Sequence, residues 1–259
     1  MSVLEKDTTA YNGGYAPFAK FFISDILAHL NLERVLFIDC DTLVVGSLGD
    51  LFFSFDMKNK ALALSSDCIR REYRLFLGIS QNTVMYATGV VLFDLIQWRK
   101  RDCFSRLLTE LKKSKRYPLA DLDLINIALQ NDIIKYPLRF QIISQFLMYS
   151  YKNLFYVFGI PKSSFSQAEY DEIFSNPVIY HFCGQTFGRP WFSNSKHPVK
   201  ALYDSYYYAS EWKDEKQELC NWRIEYKVQY ILYRYFPEWF SAWMGMIMQR
   251  LFIFITYKK

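Results

Sequence analysis

The sequence predicts an α/β fold built on a largely parallel sheet, and three observations carry that expectation. Apolar, β-prone runs at 35–38, 61–66 and 177–180 are continuous rather than alternating, the pattern of strands covered on both faces. Stretches of helical period lie between them. Each run stops at a group able to hold a ligand: Asp39 and Asp41, then Asp67, then His181. Open α/β sheets bind their ligands at such strand ends.

Residues 15–30 read as a helix, with Pro17 suited to the first turn and Phe18, Phe21, Phe22, Ile26 and Leu30 on one face. The strand at 35–38 follows, then Asp39-Cys40-Asp41, then a second apolar run that stops at Gly46. A short helical return is expected over 48–53, and a second buried strand over 61–67. The run 84–95 reads as a third strand interrupted at Gly89, where backbone must approach a ligand or another strand. Residues 98–114 are amphipathic and rich in Lys and Arg, as a surface helix would be. Asp121 and Asp123 open a short helix over 121–130, where they complement its positive end. A strand at 177–181 leads into a loop bracketed by Gly184 and Gly188 and closed by Arg189-Pro190-Trp191.

With 259 residues, half of them apolar, the chain can bury a large core. The expected division is a main domain over 1–195 and a helical tail over 196–259. Five cysteines without a CxxC pair point to reduced thiols, and so to the cytosol, rather than to a disulfide framework or a zinc site. The N-terminal residues lack a signal-peptide pattern, which speaks against secretion. Of the net charge of +5, residues 221–259 carry +4, with six cations and two anions. The rest of the chain is nearly neutral, which argues against a nucleic-acid-binding face across the body.

That tail alternates cations with aromatics from Tyr226 onward, and Arg250 interrupts its apolar run. A membrane-spanning helix needs about 20 apolar residues, and an arginine near its middle is costly. An amphipathic segment lying on the membrane surface fits better. A helix packed on the domain's own core is the competing reading. Together these features place the protein in the cytoplasm, with a peripheral position on the inner face of the membrane.

Asp39 and Asp41 are close enough to repel, and a divalent cation carrying a phosphorylated substrate would relieve that cost. An Asx turn ending a strand would use the same residues. Among three histidines, His29 lies on the first helix and His197 in an exposed-looking Lys-His-Pro context, so His181 is the candidate ligand. Alone it reads equally well as a satisfied core histidine. Beside the two aspartates it makes a set suited to manganese.

An ordered series of blocks over roughly 15–192 resembles the family 8 glycosyltransferases, retaining enzymes of the GT-A type. The series begins with Phe18-Ala19-Lys20 and continues with the DxD block from Leu36 to Phe52. Next come Ala87-Thr88-Gly89-Val90-Val91-Leu92 with Trp98-Arg99, and then Asp121-Leu122-Asp123 with Asn126. His181-Phe182-Cys183-Gly184 with Arg189-Pro190-Trp191 closes it. The resemblance implies a GT-A Rossmann-like mixed sheet with flanking helices. It further implies that Asp39, Asp41 and His181 hold Mn²⁺, with Mg²⁺ as the alternative, on the diphosphate of a UDP-hexose. Asp67, Thr88 and Gly89 would contact the donor sugar, Gly184 and Arg189 the phosphates, and Lys20 would stand where the family has an arginine near the donor. Asp121 would be the acid at the reaction centre. The acceptor would be a glycan or lipid-linked oligosaccharide of lipopolysaccharide or capsule.

Departures from the family pattern bear on the sugar and the acceptor. Ala87 replaces an Asn, Leu122 a Gln, and Arg189 a Lys, and the 181–189 loop is two residues longer. The family's strand-helix-strand before Tyr15 has 14 residues to occupy here, so an open sheet edge and an incomplete uridine pocket are expected. A truncated or non-catalytic partner subunit is therefore an alternative. A haloacid-dehalogenase-like phosphatase ranks lower, because Leu43 stands where that family wants Thr or Val.

Overall fold

A computed structural model describes residues 16–113, 117–184 and 186–257, with side chains as far as 254. Its centre is a four-stranded sheet of β1 (Arg34–Ile38), β4 (Tyr86–Asp94), β3 (Leu62–Ser66) and β5 (Ile133–Lys135), in that order. A second sheet orders β2 (Thr42–Val44), β7 (Ile179–His181) and β6 (Ile142–Ile143). Both sheets are mixed. In the first, β4 runs antiparallel to β1 and β3, while β3 and β5 are parallel. In the second, β2 and β7 are antiparallel and β6 and β7 parallel.

The strand at 35–38 was expected inside a parallel sheet; β1 instead pairs antiparallel with β4 and is half-buried throughout. It is an edge strand among the described residues. A continuous apolar run marks burial, not direction, and here flanking Phe22, Leu27 and Phe52 share in covering it. β4 runs through Gly89, but its pairing with β3 is interrupted there: Ala63 pairs with Leu92 and Ser65 with Ala87, so residues 88–91 of β4 bulge opposite Leu64 alone.

The single helix expected over 15–30 is three short pieces: a 3₁₀ segment Ala16–Phe22, an α-turn Ile23–Ile26 and a second 3₁₀ turn Ala28–Leu30. Residue 15 lies outside the described residues. Three residues per turn put Phe18 and Phe21 on one buried face. Ile26 and Leu30, placed on that face by an α-helical period, are 60% and 50% exposed. The helix expected over 98–114 is likewise two, α3 (Leu95–Lys100) and α4 (Cys103–Leu111), parted by Asp102 at φ +52°. The remaining α-helices before the tail are α1 (Ile23–Ile26), α2 (Arg71–Phe76), α5 (Asp121–Ala128), α6 (Tyr151–Phe158) and α7 (Gln167–Ser175), and the helical return expected over 48–53 is a π-helix, Asp50–Ser54.

In the tail, α8 (Lys200–Ala209), α9 (Ile224–Tyr235) and α10 (Glu238–Tyr257) close the described chain. Helix α10 packs on α6 and α2. Ala242 is fully buried there, and a Cβ at Gly245 would meet Tyr149 Oη at 2.5 Å, so small residues allow the close approach. Arg250 pairs with Glu72, and Arg70 reaches Gln249. The opposite face leaves Trp239, Trp243 and Leu251 exposed. Among the described residues no helix is long and apolar enough to cross a membrane.

Candidate functional site

The turn 39–41 carries the chain from the first sheet into the second, and local bonds fix its shape. Asp39 N–H donates to the Gly89 carbonyl at 2.7 Å, Thr42 Oγ1 to the Asp39 carbonyl at 2.9 Å, and Phe182 N–H to the Asp41 carbonyl at 2.9 Å. Register does the rest: Thr42 pairs with His181 across β2 and β7, which sets the imidazole beside Asp41. His181 Nε2 lies 3.2 Å from Asp41 Oδ1 and 3.9 Å from Asp39 Oδ2. One ligand atom from each of the three residues falls within 4.8 Å of the others.

These donors suit a divalent cation. Two carboxylate oxygens and an imidazole nitrogen match manganese or magnesium better than a soft metal. Metal–oxygen bonds of about 2.1 Å place ligand atoms up to about 4.2 Å apart, which a small side-chain rotation supplies. Cationic side chains already answer the two acids. Arg189 Nη1 sits 2.5 Å from Asp41 Oδ2, and Lys20 Nζ 3.4 Å from Asp39 Oδ1. Burial pushes the Asp41 carboxyl up, but the bonds and charges of His181 and Arg189 outweigh it and hold it below the usual carboxylate range. Asp39 ends above that range, because burial outweighs the attraction of Lys20 and His181.

Lys20 is the hub between the aspartate pair and α5. It is 3% exposed, donates to the Thr88 carbonyl at 2.8 Å, and lies 4.6 Å over the Phe37 ring. Its ammonium is also 2.8 Å from Asp121 Oδ2, an electrostatic contact, since that oxygen accepts no well-aligned hydrogen bond. Two residues on, Asp123 Oδ2 accepts from Tyr73 Oη at 2.7 Å and from Leu119 N–H at 2.8 Å, and burial pushes its carboxyl up to about 6. Asn126 clasps Tyr86 of β4 through both its N–H and its carbonyl, so the last residue of this block is structural.

Lys20, Asp39, Asp41, Thr88, Gly89, Asp121, His181 and Arg189 thus come together as one site. Gly89 is there for space: a Cβ on it would lie 2.3 Å from His181 Cε1. Asp67 follows β3 and bonds to Cys68 N–H at 2.6 Å; burial pushes it up to about 6. Gly184 takes φ +83° in the loop before Arg189, a conformation open to glycine. Thr186 of that loop donates to Gln229 of α9. His197, expected on the surface, is 6% exposed, enclosed by Phe182 and Phe187, and burial brings it down to about 4. Gln141 escaped the sequence reading: it is fully buried, with its amide 3.2 Å from His181 Nδ1.

Beside the site, a recess of about 380 Å³ opens between the body and the tail helices. Its floor includes Cys68, Leu119, Cys183 and Gly184, each within three residues of a site residue, and its wall includes Met248 and Ile253 of α10.

The turn between the two sheets, bearing two aspartates and a histidine with an acid and a buried cation alongside, is the candidate site, and the comparisons place the chain among the glycosyltransferases. The family model "Glycosyl transferase family 8" matches residues 3–195, and the chain belongs to that family. General stress protein A of Bacillus subtilis is 24% identical over 219 residues, covering 81% of this chain and 73% of that protein. Lipopolysaccharide 1,2-glucosyltransferase of Escherichia coli is 22% identical over 219 residues, covering 83% of this chain and 60% of that one. Among solved structures, the galactosyltransferase LgtC, crystallised with donor and acceptor sugar analogs, superposes with a TM-score of 0.59. The identity is 18%, over 88% of this chain and 76% of that one. The bifunctional glycosyltransferase WbbM also gives 0.59, at 19% identity, over 77% of this chain and 36% of that one. The fold is therefore GT-A, a mixed sheet with flanking helices.

Proposed function

We propose that this chain transfers a hexose, galactose or glucose, from a UDP-sugar to a cell-surface glycan acceptor with retention of configuration. The observation that carries the reading is the juxtaposition of Asp39, Asp41 and His181 with the Lys20–Asp121 pair. A manganese or magnesium ion held by the first three would supply positive charge to the departing diphosphate. Arg189 offers a forked, charged donor for phosphate oxygens, and Gly184 lets the backbone approach them. Thr88, Gly89 and Asp67 border the donor sugar. Lys20 positions Asp121, 2.8 Å away, to face the anomeric carbon, where positive charge develops as the bond to the diphosphate breaks. The acceptor hydroxyl forms the new glycosidic bond as the bond to the diphosphate breaks, and its proton passes to an oxygen of the departing UDP.

The recess beside the site offers room for the acceptor. Its α10 wall carries Trp239 and Trp243 on the outside, with Arg234 and Arg250 nearby, which supports a lipid-linked oligosaccharide acceptor met at the membrane surface. In this reading residues 1–195 transfer the sugar and 196–259 form the tail that meets the membrane on the cytoplasmic face. Incubation with UDP-glucose or UDP-galactose should release UDP in a manganese-dependent way, and Asp41→Ala should abolish release. Unchanged turnover in Asp41→Ala would overturn the site. No release by a folded protein would favour the non-catalytic partner reading.

A further inference from the structure

The recess beside the site contains a guanidinium that the fold leaves partly unused. Arg70 ends the extended step from β3 into α2, three residues beyond Asp67, so the two Cα atoms are at most about 11 Å apart. It is 6% exposed, and it lines the recess. A guanidinium carries five N–H donors in a planar fork. Nε donates to Glu72 at 3.3 Å, and Nη1 to the Gln249 amide oxygen at 3.2 Å. Among the described residues Arg70 Nη2 has no partner, and neither has the amide nitrogen of Gln249, which also lines the recess.

The charge around this corner is unbalanced. Glu72 is shared by Arg70 and Arg250, and Glu225, in the lining, is paired with Arg223. Three guanidiniums thus meet two carboxylates. Buried donors without acceptors are costly, and a free guanidinium fork matches the oxygens of a phosphate. The rest of the wall is of another kind. Met148, Phe158, Met248 and Ile253 surround the space with apolar surface, which an alkyl stem covers without leaving polar groups unpaired.

We infer that Arg70, with the Gln249 amide beside it, determines acceptor specificity by taking a phosphate borne on an apolar stem, as in a lipid phosphate. The phosphate is a point of recognition, and no bond to it forms or breaks. The inference rests on the proposed placing of the acceptor in this recess, but its test needs no donor, metal or turnover.

The probe is hexyl phosphate, titrated into metal-free protein labelled with ¹³C-methyl methionine. Of the seven methionines, Met148 and Met248 line the recess, and substitution by leucine assigns their signals. Both should shift with hexyl phosphate, and with inorganic phosphate or hexanol only at higher concentration. Equal affinity for either fragment overturns the inference. Arg70→Gln should weaken hexyl phosphate binding roughly 10- to 100-fold and leave hexanol binding as it was. Glu72→Gln breaks the same ion pair but frees the guanidinium, so affinity should hold or rise. A merely structural Arg70 would make both variants lose affinity alike. Should Arg70→Gln fail to fold, Arg70→Lys keeps the charge without the fork, and weaker binding is expected there too. Wild-type affinity in either Arg70 variant overturns the inference. So does displacement of the probe by UDP with Mg²⁺, which would place it in the donor site. Arg70-dependent binding without UDP release from a UDP-hexose refutes the proposed function alone. Turnover in a protein that does not bind hexyl phosphate refutes this inference alone.

Discussion

Replacing Gly89 by alanine tests the packing that positions His181. The new Cβ would lie 2.3 Å from Cε1, 2.5 Å from Nδ1 and 2.9 Å from Nε2 of the ring. Ordinary carbon contact is about 3.5 Å, so the ring must retreat by about 1 Å. It has little room, because the Gln141 amide sits 3.2 Å from Nδ1 and the His181 side chain is only 11% exposed. Overpacking of this kind costs about 1–3 kcal/mol. Against it stands a gain of roughly 0.5–1 kcal/mol from removing a glycine inside a strand. In a His181→Ala background the clash vanishes and the gain remains. Gly89→Ala should therefore destabilise the wild type, yet be neutral or stabilising beside His181→Ala, a coupling of about 2 kcal/mol. Denaturant midpoints of the four proteins at constant m measure it. Additivity within about 0.5 kcal/mol would refute the contact.

Lys20→Met leaves Asp121 and Asp39 facing each other without their cation. The loss should be about 3 kcal/mol, the lower end for breaking a buried pair because Asp39 is a third exposed, whereas Lys20→Arg should retain most of the stability. Chemical denaturation distinguishes the two. His197 gives a pH signature. Burial holds it at about 4 against a usual 6.5, so the unfolded chain takes up a proton that the folded one refuses, and stability falls as pH drops from about 6.5 toward 4. From those values about 2 kcal/mol is gone by pH 5. Asp67 and Asp123, raised to about 6, act with the opposite sign, gaining stability as pH falls from about 6 toward 4. The comparison is therefore between wild type and His197→Phe, whose stabilities should converge or cross by about 2 kcal/mol between pH 7 and 5. Parallel curves would contradict the buried, neutral imidazole.

What the sequence disclosed follows from range. Asp39 and Asp41 were legible because a strand and its terminating carboxylates are one local pattern, and β3 with Asp67 and β7 with His181 repeat it. Gly89 was legible as a close approach, though not as the neighbour of His181, a contact 92 positions away. Strand direction was not, because β1 and β4 meet antiparallel through a pairing that no local periodicity encodes. The 16–30 segment misled because 3₁₀ and α-helical spacing agree over Phe18 and Phe21 and part only at Ile26 and Leu30. Gln141 carries no motif; its place beside His181 comes from the parallel pairing of β6 with β7, which no local pattern encodes. His197 looked exposed beside Lys196, yet Phe182 and Phe187 enclose it from a distant loop.

The most direct test of the account is a calorimetric titration of UDP into the protein with and without Mn²⁺, repeated on Asp41→Asn. The account predicts binding that requires the metal and is lost in the variant. Binding that ignores both, or none in a folded protein, would contradict a donor site built on Asp39, Asp41 and His181.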